Sequence, residues 1–409
     1  MSPSPKTRSA RSSEADRRHL RRALALARRA LGDTRPNPMV GAVLVRGGRV
    51  LGEGWHHRAG QPHAEIEAFL DAERRGNAPA GATLYVTLEP CCTHGRTPPC
   101  TDAIIAAGIT RVVVAATDPN PAHAGHGFEL LRQAGIQVDT GLLADAATRL
   151  NAGFNHWIQH RTPLVTLKAA FSLDGKIATV TGESRWITGP ASRKRVMGLR
   201  AAHDAILVGI QTVLADDPAL TIRTARRERS PIRVILDSRA RTPLSARLVT
   251  DPHHARTLIV VGEAAPKRRI EALRRQATVW TAPVLNGRID LRWLMAELGR
   301  YPVTSLLVEG GGEVHASFLE SGLAHRAVFF YGPKVIGGAE APRGVSGKGF
   351  QSLATAPRLI DIRHRRLGDD LMVEGRIEQR ERTEPAVPRS VGGRRRRKKV
   401  VVGEGFEPS

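Results

Sequence analysis

The chain has 409 residues, 41% of them hydrophobic and 25% charged, with a formal net charge of +23 at neutral pH. It is too long for one typical domain and apolar enough for two cores, and it holds no apolar run near the roughly 20 residues of a helical membrane span. The charge invites a nucleic-acid partner, but nine Lys/Arg against two acids fall within residues 1–29 and eight against four within residues 381–409. Residues 1–13 and the tail 378–409, with its basic run Arg394–Lys399, are expected to be disordered flanks, and neither a membrane nor nucleic acid is the expected partner. Three cysteines are too few for a disulfide framework. With no secretory leader visible, a reducing, cytoplasmic setting and thiolate chemistry are expected.

In chain order, Ala42–Val45 and Val50–Gly54 read as two short strands joined at Gly47-Gly48. A helix follows from about His63, with Ile66, Phe69 and Leu70 at helical spacing. Thr83–Leu88 is a β-run that delivers Glu89-Pro90-Cys91, and Cys100 opens a helix over Asp102–Ala107 that Gly108 stops. Arg111–Ala116 reads as a buried strand with Asp118 and Asn120 at its carboxyl end, where ligands collect in α/β sheets. Ala144–Gln159 reads as one helix, with Leu150, Phe154, Trp157 and Ile158 at helical spacing, and the domain boundary is placed near residue 150. Beyond it, β-runs at Leu164–Ala170, Ala205–Gly209, Ile232–Leu236, Thr257–Val261, Ser305–Glu309 and Ala327–Tyr331 alternate with helical stretches, an α/β pattern.

The residues His63-Ala64-Glu65, Cys91 and Cys100 carry the clearest chemistry. One imidazole and two thiolates make a three-ligand zinc site with the fourth position open to water, and a glutamate two residues from the histidine can sit beside that water without ligating it. His63, Cys91 and Cys100 are therefore the expected zinc ligands and Glu65 the proton shuttle of a base deaminase. Cys92 is the alternative thiolate, but Cys91 directly follows Pro90, as the pattern requires. Asn37, His56, His94, Arg96, Asp118 and Asn120 offer donors and acceptors for a pyrimidine, with Arg96 suited to a phosphate. In the second half, Val308-Glu309-Gly310-Gly311-Gly312 takes a strand through a glycine run into a helix over Glu313–Leu319. Backbone amides at such a turn can hold a phosphate, although glycines there often serve only a tight turn.

The insert Cys92-Thr93-His94-Gly95-Arg96-Thr97-Pro98-Pro99 between Cys91 and Cys100 departs from the short Cys-x-x-Cys spacing of most zinc deaminases. With Pro36-Asn37-Pro38, Asp118-Pro119-Asn120-Pro121, Ser172-Leu173-Asp174-Gly175-Lys176, Leu214-Ala215-Asp216-Asp217-Pro218 and the Val308–Gly312 run, it resembles the bifunctional riboflavin-biosynthesis deaminase/reductase family, across about residues 14 to 377. The resemblance implies a cytidine-deaminase-like three-layer α/β domain over residues 14–150, followed by a dihydrofolate-reductase-like α/β domain over residues 151–377 that binds NADPH. It implies that Ala170, Trp186, Thr212, Asp216, Ser238 and the segment Gly311, Gly312, Glu313, Val314, His315, Ala316 and Ser317 line the nucleotide. It also implies that Ser184, Arg200, Leu220, Arg223 and Glu309 face a sugar-phosphate, with Arg200 and Arg223 suited to clamp its 5′-phosphate. Lys168 and Asp174 are the candidates for proton delivery, and Arg239 and Arg241 could meet a cofactor 2′-phosphate.

The implied activity is hydrolytic deamination of 2,5-diamino-6-ribosylamino-4(3H)-pyrimidinone 5′-phosphate. NADPH-dependent reduction of the ribosyl group to ribityl then follows, in a self-associating enzyme. The rival reading, a zinc-dependent nucleic-acid base deaminase, fits the charge but leaves the second α/β half without a task.

Overall fold

The computed structural model describes residues 14–379 apart from 95–97, 122 and 224–227, and only the backbone of 228 and 229. The expectations for the flanks and for Arg96 lie outside the described residues, except that the tail's first two residues are held. The Glu378 amide donates to the Arg358 carbonyl at 2.9 Å, and Gln379 Nε2 donates to the Ala324 carbonyl at 2.8 Å. Two compact units form: one runs to Pro163 and takes in Leu298–Thr304, and the other runs over Leu164–Glu297 and on from Ser305.

The first unit runs α1 (Glu14–Ala27), β1 (Gly41–Arg46), β2 (Arg49–Trp55), α2 (Ala64–Arg74), β3 (Thr83–Leu88), α3 (Cys100–Ala106), β4 (Arg111–Ala116), α4 (His126–Gln133), β5 (Gln137–Thr140), α5 (Ala144–Leu150) and α6 (Ala152–His160). Its sheet has the order β2-β1-β3-β4-β5, antiparallel through β2, β1 and β3 and parallel from β3 to β5. Strand side chains alternate between two cores, which is why these strands read as continuous apolar runs. Ala42, Leu44, Leu84, Val86, Val112 and Val114 pack against α2, α3 and α4, while Val43, Val45, Tyr85, Val113 and Ala115 pack against α1 and α5. Helix α1 was not apparent as a helix from its charge. Its Leu20, Ala23, Leu24 and Ala27 are buried at helical spacing, so Arg18, Arg21 and Arg22 form the outer face of a packed element rather than part of a flank. The expected helix over 144–159 is two helices. They break at Asn151, whose side chain accepts from the Met39 amide at 2.8 Å and donates to the Met39 carbonyl at 2.9 Å. The first compact unit thus includes α6, thirteen residues beyond the boundary placed near 150.

Glycines set the depth of α2. A Cβ at Gly52 or Gly54 of β2 would run into the α2 backbone at Ala68 and Ala64, so the helix lies directly on the strand through Ala64, Ala68 and Ala72. This close approach brings His63, at the N-terminus of α2, to the carboxyl end of β3.

The second unit runs β6 (Leu164–Phe171), α7 (Pro190–Ala202), β7 (Ala205–Gly209), α8 (Ile210–Asp216), β8 (Ile222–Arg223), β9 (Glu228–Arg229), β10 (Ile232–Leu236) and α9 (Arg247–Thr250). It continues with β11 (Thr257–Gly262), α10 (Lys267–Arg274), β12 (Thr278–Ala282), β13 (Val284–Leu285), β14 (Arg288–Ile289) and α11 (Leu291–Arg300), whose last residues, from Leu298, are counted with the first unit. Last come β15 (Ser305–Val308), α12 (Gly312–Glu320), β16 (Arg326–Tyr331), β17 (Leu359–Leu367) and β18 (Asp370–Ile377). The main sheet has the order β12-β11-β10-β7-β15-β6-β16-β18-β17. It is parallel from β12 to β16, and the hairpin β17–β18 adds an antiparallel edge. β6 and β7 flank β15, so the glycine run after β15 emerges mid-sheet between two parallel neighbours.

Candidate functional site

In the first unit His63 caps α2 and Cys100 opens α3, so two helix N-termini with their unpaired amides face the centre. His63 Nδ1 lies 3.2 Å from Cys100 Sγ and 3.5 Å from Cys91 Sγ, and the ligand atoms of all three residues lie within 4.8 Å of one another. A tetrahedral zinc ion, with bonds of about 2.3 Å to sulfur and about 2.0 Å to nitrogen, needs ligand atoms roughly 3.5–3.8 Å apart. The trio fits such an ion, and a three-residue set leaves a coordination position for water. Cys92 stands outside the trio, its thiol pushed up by burial. Cys91 accepts from the Cys100 thiol, from the Cys100 amide at 3.3 Å and from His63, which pulls it down to about 4. The same shared proton holds the Cys100 thiol up, and the contact with Cys91 raises His63. Glu65, 3% exposed in the first turn of α2, is pushed up to about 7 by burial and by the charge on Cys91. A carboxyl poised there can take a proton and return it near neutrality.

Buried His56 packs edge-on against the His63 ring at 5.2 Å between centroids. Its Nδ1 lies 3.1 Å from the Pro62 carbonyl and its Nε2 lies 3.2 Å from Asn37 Nδ2. Donation from Nδ1 to Pro62 leaves Nε2 to accept from Asn37, which fixes the amide's orientation, and burial lowers the His56 pKa, favouring the neutral ring. Asp118 is buried at the end of β4, raised by that burial, and accepts from the Asn120 amide at 2.9 Å. His94 is exposed on the loop after Cys91.

In the second unit Ala170, Thr212, Ser238 and Gly311 all stand at or just beyond the carboxyl ends of β6, β7, β10 and β15, a row of neighbouring parallel strands. That is where a sheet of this kind binds a ligand. Gly311 has φ of 66°, and a Cβ at Gly312 would run into the Arg343 carbonyl. The glycine run is thus required by backbone shape, and it presents the Gly312 and Glu313 amides at the start of α12, the Val314 amide being bonded to the Gly311 carbonyl at 3.1 Å. Ser184 Oγ donates to Asp216 at 3.4 Å, and Trp186 is 61% exposed.

Other candidate residues of this unit make contacts within the protein. Arg200 makes a two-pronged pair with Glu309, at 2.7 and 2.8 Å, and donates to the Thr221 carbonyl at 3.0 Å, so three of its N–H groups are spent within the protein. Burial pushes Glu309 up, but Arg200 and Lys168 outweigh it and hold the carboxyl at about 2. Lys168 is lowered by burial and faces Glu309. Asp174 accepts from Ser172 Oγ at 2.6 Å and from the Ile336 and Gly337 amides at 3.0 and 2.7 Å. These bonds hold it far below the usual carboxylate range and tie its loop to the Ile336–Gly337 backbone. Leu220 is 3% exposed, its side chain packed within the core. His315 is buried on the Gly344 carbonyl at 2.9 Å and Ala316 is buried beside it in α12, while Val314 packs on Gly209. Glu313 and Ser317 both bond Arg288, at 2.6 and 2.9 Å. Arg223 is exposed on β8.

Residues 13–116 match the family model of the cytidine and deoxycytidylate deaminase zinc-binding region, and residues 163–373 match that of the RibD C-terminal domain. The riboflavin biosynthesis protein RibD of Actinobacillus pleuropneumoniae is 43% identical over 87% of this chain and 94% of its own. That of Escherichia coli strain K12 is 42% identical over 85% of this chain and 96% of its own. The chain belongs to the RibD family. It is a bifunctional enzyme of riboflavin biosynthesis, with a deaminase in the first unit and a reductase in the second. The crystallised RibD of Acinetobacter baumannii, form 1, is similar with a TM-score of 0.78 and 36% identity, covering 90% of this chain and 99% of that one. The deaminase/reductase of Thermotoga maritima gives 0.75 and 34%, covering 89% and 99%. The cytidine-deaminase-like and dihydrofolate-reductase-like architectures expected from the motifs both hold.

Sequence reasoning assigned no role to three residues of this RibD-family chain. Glu89, 4% exposed, accepts three backbone amides from the segment after β4. His123 lies 3.4 Å from Asp118 and 2.9 Å from Thr93, bridging the same segment to the metal loop. Arg233 is fully buried, and each of its five N–H donors has a partner in Thr257, Ala219, Leu248 or Asp251, which anchors the loop leading to Arg223. A charged residue whose partners are distant backbone groups leaves no local pattern.

Proposed function

We propose that the first unit hydrolyses the amine from 2,5-diamino-6-ribosylamino-4(3H)-pyrimidinone 5′-phosphate, and that the second uses NADPH to reduce the ribosyl group, giving 5-amino-6-ribitylamino-uracil 5′-phosphate. The observation that carries the first step is the His63, Cys91 and Cys100 trio with buried Glu65 beside it. His63, Cys91 and Cys100 hold one zinc ion, which when bound supplies a water acidic enough to attack near neutral pH. Glu65 takes the proton from the attacking water and delivers it to the departing amine, so water enters and ammonia leaves. Asn37, oriented by His56, and Asp118 with Asn120 hold the pyrimidine edge, and Arg96 with His94 receives the phosphate side.

In the second unit the Gly312 and Glu313 amides at the start of α12 receive the cofactor's phosphates, with Ala170, Thr212 and Ser238 along the same edge. Glu309, oriented by Arg200, faces the ribose, and Arg223 binds the substrate phosphate. Lys168 beside Glu309 provides the proton that accompanies the hydride.

The test is incubation of the zinc-loaded protein with this substrate, with and without NADPH, and identification of the products by mass. A deaminated ribosyl product without NADPH and a ribityl product with it support both assignments and their order. Chelation of the metal should stop ammonia release and leave reduction of supplied deaminated intermediate intact. No conversion of this substrate would overturn the substrate assignment.

A further inference from the structure

The Glu89 carboxylate sits where the two loops of the deaminase centre meet. Glu89 follows β3 and stands two residues before Cys91, while the segment carrying Asp118 and Asn120 follows the neighbouring parallel strand β4. One carboxylate oxygen accepts the Asp118 and Gly125 amides, both at 3.1 Å, and the other accepts the Gly127 amide at 3.0 Å. Three charge-assisted bonds to one buried carboxylate make a rigid clip, and amides stripped of that partner would be left buried without one. Packing closes the clip further: a Cβ at Gly127 would crowd the Pro90 carbonyl and the Glu89 side chain.

We infer that Glu89 is a positioning residue of the deaminase, holding the backbone at Asp118, Gly125 and Gly127, and with Asp118 the Asn120 bonded to it, at a fixed distance from the metal-bearing loop. The metal loop does not need this carboxylate for its own geometry. The Glu89 amide keeps its ladder bond to the Ala116 carbonyl at 2.9 Å, the Thr101 amide bonds the Cys91 carbonyl at 3.2 Å, and the Cys100 amide bonds Cys91 Sγ at 3.3 Å. Loss of the clip therefore loosens the substrate-holding side and spares the metal-holding side. The inference rests on the proposed role of Asp118 and Asn120 in binding the pyrimidine.

The experiment compares Glu89→Gln and Gly127→Ala with the unmodified full chain, measuring zinc content, deaminase kcat and KM on the diaminopyrimidine ribosyl phosphate, and reductase rate on the deaminated intermediate. Gln cannot accept at both ends, and the Ala methyl wedges the clip from the other side without touching the carboxylate chemically. Both variants should raise the deaminase KM about tenfold or more, with kcat within about threefold and with zinc content and reductase rate unchanged. An unmoved KM in either folded variant overturns the inference. Zinc loss with unchanged KM also overturns it, because Glu89 would then support Cys91 and not the substrate segment. If the unmodified chain does not turn over this compound, the substrate reading fails. If it does and the variants match it, only the positioning role fails.

Discussion

The two units place their chemistry differently. In the first, the reacting groups are side chains within a few ångströms of one another: one imidazole, two thiols and a buried carboxyl at the starts of two helices. In the second, the candidate residues stand along the carboxyl ends of a row of parallel strands, and several side chains are spent on each other or on the backbone. A centre built from a few titrating atoms responds to single substitutions all at once. A site built from backbone shape and distributed contacts responds by degrees.

The largest contrast is expected from Glu65→Gln. The amide keeps the volume of the side chain but cannot carry a proton from water to amine, so ammonia release should fall by about 10²–10⁴-fold. Reduction of supplied deaminated intermediate should proceed at the unmodified rate. Loss of both rates in a folded variant would mean that the two units do not act as separate sites.

Next in size is Glu309→Gln, which tests how far the second unit depends on its buried ion pair. Arg200 and Lys168 would keep their charges with no anion between them, and leaving a buried charge unpaired costs about 3–5 kcal/mol. The Glu309 carboxyl lies at about 2, below its ordinary 4.5, so its contribution is fully present above about pH 4.5 and is lost as pH falls through 2. The stability gap between unmodified protein and variant should therefore be flat from neutrality down to about pH 4.5 and shrink below it. Urea unfolding, followed through amide exchange of β15, measures that gap at each pH. A gap that widens on acidification would refute the pairing.

Gly312→Ala separates shape from side-chain chemistry. The added methyl meets the Arg343 carbonyl and Ser346 Oγ, so the turn before α12 has to shift and the amides at the start of the helix move with it. NADPH KM should rise about tenfold, as a small displacement of a phosphate-holding loop costs on the order of 1–2 kcal/mol of binding, and deamination should not change. Equal NADPH affinity in the variant would place the cofactor's phosphates elsewhere.

Physics decides which parts of the molecule the sequence discloses. Strands buried on both faces, such as Val112–Ala115 and Ala205–Val208, read as continuous apolar runs and were placed to the residue. The metal trio was legible because thiolates and imidazole at that spacing have few structural uses. Helix α1 hid behind its arginines. The hairpin β17–β18 leaves no sequence signal because Arg363, His364, Arg365 and Arg366 are consecutive, polar and exposed on both faces, so no alternation survives. The break at Asn151 depends on Met39, 112 residues away, which no local window contains. The burial of Leu220 and His315 is likewise set by the tertiary packing and leaves no local mark.

The smallest expected effect, and the sharpest division of labour within the second unit, belongs to Arg223→Ala. Arg223 lies exposed on the short strand β8, so its removal leaves no buried partner and should not change stability measurably. Its neighbours are positioned from behind by Arg233, which bonds the Ala219 carbonyl at 3.0 Å and anchors the loop whether or not Arg223 is present. The variant therefore removes one guanidinium from a fixed frame. Substrate KM in the reductase should rise about tenfold, the scale of one charge-assisted contact to phosphate, while NADPH KM stays within about twofold. The discriminating measurement is the ratio of the two changes. A larger loss for NADPH than for the sugar-phosphate would move Arg223 to the cofactor side.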